Sequence, residues 1–68
     1  MRQISGKELA KILEKHGWKL ARIHGSHYIY TKPEVMEIIT IPVHGNKPLG
    51  PGILKRALKI SNIEENEI

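Results

Sequence analysis

Leu9, Ile12, Leu13 and His16 recur at the three-and-four spacing of one helix face, while Lys7, Lys11 and Lys15 fall on the other. Ser5 and Glu8, three apart at the head of this run, have the form of a capping box, and Gly17 supplies a residue suited to ending the helix. A first helix is therefore predicted from Gly6 to His16. The rhythm then changes. Trp18 to His24 mixes apolar and basic residues as a half-buried strand does, and His27 to Thr31 is aromatic and β-branched. Gly25-Ser26 between them predicts a tight hairpin. Lys32-Pro33-Glu34 begins a polar connection, and Ile38 to Val43 is the strongest strand signal, β-branched at every position except Pro42. A proline cannot donate to a ladder, so this strand lies at an edge or ends there.

His44 to Pro48 has loop composition. Gly50-Pro51-Gly52 then opens a second helix whose apolar stripe is Ile53, Leu54, Ala57 and Leu58, with Lys55, Arg56 and Lys59 on its basic side. Ser61 and Glu64 have the spacing of a second capping box. The order α-β-β-β-α predicts an α+β fold of two layers: two helices cover one face of an antiparallel three-stranded sheet and leave the other face to a ligand.

Composition narrows the function. Sixty-eight residues make one small domain, 1–68, without a second core. The absence of cysteine excludes a disulfide scaffold, a thiol nucleophile and cysteine-based zinc fingers. No apolar run approaches the ~20 residues of a membrane span, and no secretory apolar segment opens the chain, so a soluble cytoplasmic protein is expected. Lys and Arg total 11 against 7 acids. Three of the acids, Glu64, Glu65 and Glu67, fall in the last five residues, leaving a strongly basic body. Such a body attracts phosphate backbones or acidic partners.

Four histidines are the candidate chemistry. His16, beside Gly17, suits the carbonyl end of the first helix. His24 and His27 flank the Gly-Ser turn and form its closing pair on one sheet face. As a zinc pair they lack a third ligand in a recognised spacing, and the other readings are a polar surface turn or a histidine exchanging protons near neutral pH. Gly25 lets a phosphate approach the backbone closely, and Ser26 adds a hydroxyl and an N–H. His44 is either a second proton carrier or a solvated loop residue. Tyr28 and Tyr30 share one strand face, which is either a stacking platform for bases or part of the core.

The chain resembles the HicA family of toxin ribonucleases of HicA–HicB toxin–antitoxin modules. Ser5-Gly6-Lys7-Glu8-Leu9, Gly17-Trp18, Arg22 through Gly25-Ser26-His27-Tyr28-Ile29-Tyr30, Ile41-Pro42-Val43-His44-Gly45-Asn46 and Gly52-Ile53-Leu54-Lys55-Arg56 carry the resemblance, in family order over nearly the whole length. Trp18 stands where the family often has Phe. The resemblance implies a fold like a double-stranded-RNA-binding domain, cleavage of mRNA without metal or cofactor, an essential histidine at His27, and a HicB-like antitoxin that covers it. On that footing His27 is the expected acid or base and His44 the expected second proton carrier. Gly25, Ser26, Arg22 and Lys47 are expected around the phosphate, with Lys55 and Arg56 guiding RNA. The competing readings are an RNA-binding module without catalysis, which leaves His27 and His44 without a task, and an interaction protein for an acidic partner.

Overall fold

The computed structural model describes residues 3–68; Met1 and Arg2 of the expected 1–68 domain lie outside it. Helix α1 spans Gly6–Lys15. Its capping box is complete: Ser5 Oγ accepts from the Glu8 N–H at 3.1 Å, and Glu8 Oε1 accepts from the Ser5 N–H at 3.0 Å. His16 is the C-cap, its N–H directed to the carbonyls of Ile12 and Leu13. Its ring does not serve the helix end as expected. His16 Nε2 lies 3.4 Å from Glu67 Oε1, tying α1 to the C-terminal turn.

Strands β1 (Lys19–His24), β2 (His27–Lys32) and β3 (Val35–Pro42) form an antiparallel sheet in the order β1-β2-β3. β3 is the edge strand expected from Pro42, which is its last residue. It begins three residues earlier than the sequence suggests, because Lys32-Pro33-Glu34 is a turn and not a longer connection. Lys32 pairs with Val35 across Pro33-Glu34, and Glu34 adopts the left-handed conformation (φ 70°) that a turn led by proline requires at its second central position. That turn normally advertises itself with Gly or Asn, and glutamate hides it.

Tyr28, Tyr30, Ile39 and Ile41 face the helices, and Tyr30, Ile39 and Ile41 are buried with Leu9, Leu13, Leu54, Ala57 and Leu58. Tyr28 packs at the margin of this core, so the tyrosines are core residues and not a stacking platform. Helix α2 spans Pro51–Ser61, with Pro51 at its first turn and Asn62 closing it in the left-handed conformation. The expected Ser61–Glu64 capping box is absent: Ser61 is the last residue of α2 and its hydroxyl donates to the Leu58 carbonyl at 3.3 Å. The box instead joins Glu64 and Glu67, around a short 3₁₀ turn at Glu65–Glu67. Both helices lie on one side of the sheet, and the order α-β-β-β-α holds.

β1 departs from the expected half-buried strand. Every residue in it is exposed, Leu20 at 41% and Ile23 at 51%. Trp18, just ahead of the strand, is buried in their place at 2%. The helices pack chiefly against β3, and α1 meets β1 only slightly, so the helix-facing side chains Leu20 and Ile23 stay largely exposed.

Candidate active site

The sheet face away from the helices is set by the register. At the turn end, His24, His27 and Pro42 form one row across the three strands. Behind it stands the row Arg22, Ile29 and Thr40, and behind that Lys19 beside Thr31. Arg22 and His24, two apart in one unbroken register, share this face by strand alternation, and a one-residue bulge between Leu20 and Arg22 brings Lys19 onto it as well. None of these residues is a carboxylate, so the face is positive wherever it is charged.

His24 and His27 close the hairpin around Gly25-Ser26. Gly25 has φ 63°, and Ser26 does not share a positive φ, the pattern of a hairpin turn with glycine first. A Cβ at Gly25 would meet nothing within 4 Å, so its role is conformational and the space above it is open. The Ser26 carbonyl accepts from the Val43 N–H at 2.8 Å, which extends the β2–β3 pairing one step past Pro42. This bond draws the following loop, with His44, alongside the turn. The Lys47 N–H donates to the His44 carbonyl at 3.1 Å, folding that loop back on itself. His24, His27, Arg22, His44 and Lys47 are all exposed.

The residues singled out in the sequence thus divide into two groups. Gly25, Ser26, His27 and Arg22 lie together, and the loop bearing His44 and Lys47 is tied to the same turn. Lys55 and Arg56 do not join them. They are exposed on α2, in the layer on the far side of the sheet, where Arg56 helps line a groove of about 270 Å³ with Ile38, Thr40, Ile53 and Ile60. A second hollow lies between α1 and the 43–45 loop, lined by Lys7, Lys11, Tyr28 and Gly45. Its two lysines, four apart on the basic side of α1, were legible as charge but not as a site. Among the described residues no three His, Asp or Glu side chains gather as a metal site, and no helix is long and apolar enough to cross a membrane.

Comparison with known proteins bears on the family and the fold. No curated protein sequence matches the chain. A solved structure described as the HicA3 and HicB3 toxin–antitoxin complex contains a chain that is 35% identical, aligned over 87% of this chain and 94% of that one with a TM-score of 0.65. The family model for the HicA toxin of bacterial toxin–antitoxin systems matches residues 6–63, from the first residue of α1 to just beyond α2. The chain belongs to the HicA toxin family.

Proposed function

We propose that this toxin is an endoribonuclease that cleaves mRNA without a metal, using His27 for proton transfer. The observation that carries the reading is the row His24–His27–Pro42, its two histidines exposed and Arg22 exposed beside them, on a sheet face whose strand positions hold no carboxylate and that no helix covers. RNA brings its own nucleophile, the 2′-OH. A protein that cuts it needs a base for that proton, a donor for the departing 5′ oxygen, and positive charge for the pentacoordinate phosphorus. His27 takes the 2′ proton as the 2′ oxygen attacks phosphorus. Arg22 steadies the non-bridging oxygens, with Lys47 as the second cation, and the Gly25-Ser26 backbone lets the phosphate approach. The second histidine for the leaving oxygen is, from the sequence, His44. Products are a 2′,3′-cyclic phosphate and a 5′-hydroxyl. Lys55 and Arg56 serve as outlying phosphate contacts from the helix layer.

A HicB-like antitoxin is the proposed protein partner, silencing the toxin by covering the open face. The family match and the toxin–antitoxin complex among solved structures support that pairing, and the basic body favours an acidic covering surface.

The test is incubation of the pure protein with end-labelled single-stranded RNA in excess chelator. Cleavage to cyclic-phosphate ends is expected. It should be blocked by a 2′-deoxy sugar at the scissile bond and lost in His27→Ala. RNA retained on the protein but never cut would replace the enzyme by a binding module.

A further inference from the structure

His27 has two histidine neighbours of unequal standing. His44 lies in the loop beyond β3, two residues past Pro42, which is the residue that faces His27 from that side. His24 faces His27 directly, as the other half of the closing pair. Side chains at such paired positions project to the same face with Cβ atoms roughly 4.5–5.5 Å apart. Two imidazoles at that spacing can splay to reach opposite sides of one phosphorus. An in-line displacement requires this geometry, because the attacking and leaving oxygens lie opposite each other.

From this register we infer that His24, and not His44, is the general acid of the cleavage. The inference rests on the ribonuclease reading. The 2′-OH gives its proton to His27 and its oxygen bonds to phosphorus. The P–O5′ bond breaks, and the leaving oxygen takes a proton from the His24 imidazolium. Solvent then returns His27 and His24 to their starting states. The order of roles follows from the strands. His27 is on β2, the central strand, with Pro42 opposite it on β3, and the retained ribose sits on that side. His24 is on β1, the exposed edge, where the departing nucleotide has a clear path. Arg22, two residues before His24 on the same face, meets the non-bridging oxygens between them.

The experiment compares an oligoribonucleotide with the same oligomer carrying a bridging 5′-sulfur at the mapped scissile bond. A thiolate leaves without a proton, so only the acid becomes dispensable. His24→Asn is expected to cut the oxygen substrate about 10²–10⁴-fold more slowly and to recover most of that loss on the sulfur substrate. His27→Asn should be slow on both, and His44→Asn should show no such recovery. His24→Lys keeps a cation and should behave as His24→Asn. Thermal melts followed by Trp18 fluorescence confirm that each variant folds. The assignment is overturned by His24→Asn matching wild type on the oxygen substrate, by its equal slowing on both substrates, by rescue in His24→Lys, or by sulfur recovery in His44→Asn. Wild-type protein that cuts neither substrate would instead remove the ribonuclease reading itself.

Discussion

The Tyr30 hydroxyl donates a 2.8 Å hydrogen bond to Glu14 Oε2, pinning the central strand to the last turn of α1. Tyr30 is otherwise buried, and that burial, reinforced by the Glu14 hydrogen bond and charge, holds its phenol well above the usual tyrosine range. In the unfolded chain Tyr30 ionises near the ordinary value of 10.0, whereas in the fold it stays neutral there. The contribution is therefore complete below pH ~10 and is lost as the pH climbs above it. Tyr30→Phe should cost about 1–2 kcal/mol at neutral pH, and should flatten that alkaline decline. Urea titrations of both proteins at pH 7 and across the alkaline range measure the difference.

Gly6, the first residue of α1, rests on the end of β3. A Cβ there would fall inside contact distance of the Pro42 carbonyl and 3.1 Å from Ile41 Cγ2. The obstruction is backbone on one side and a fully buried isoleucine on the other, so neither yields easily. Gly6→Ala is expected to destabilise by about 1–3 kcal/mol, despite alanine's better helix propensity. A urea midpoint unchanged or raised would show that α1 can lift off the sheet end without cost.

Glu34 holds a left-handed backbone (φ 70°) without the side chain suited to it. Asparagine tolerates this conformation better and does not add the unfolded-state freedom of glycine. Glu34→Asn should raise stability by about 0.5–1 kcal/mol, seen as a higher melting temperature with cleavage unchanged.

Arg22 shares a face with His27, while Lys55 and Arg56 do not. Arg22→Glu is expected to slow cleavage even at saturating RNA. Lys55→Glu with Arg56→Glu should weaken RNA binding at low salt and reduce its salt dependence, leaving the saturated rate close to wild type. Equal loss of the saturated rate in both would mean that RNA wraps the β3 edge to bring α2 to the scissile bond.

The elements most legible in the sequence were those with local chemical marks. Ser5 and Glu8 announced α1, Gly25-Ser26 announced the hairpin, and Pro42 announced the end of β3. What escaped was set by partners distant in sequence. Nothing near His16 points to Glu67, and nothing within β1 reveals that the helix layer stops short of Leu20 and Ile23. The Pro33-Glu34 turn escaped for a local reason, since glutamate is an unusual occupant of its second central position. The site was half legible. His27 and its glycine turn could be named from their spacing and the family resemblance. The bulge that turns Lys19 onto the histidine face depends on register, which spacing alone does not contain.

The uncovered state of β1 bears on how the molecule breathes. With one strand neighbour and only a slight contact with α1, its amides are held by little beyond the hydrogen bonds to β2, so this ribbon should fray well before the rest of the domain. Deuterium should therefore enter β1 faster than β3 in the free toxin. A clamp laid along that margin would quiet the fraying and shut the histidine pair away in one act, so inhibition and rigidity would rise together.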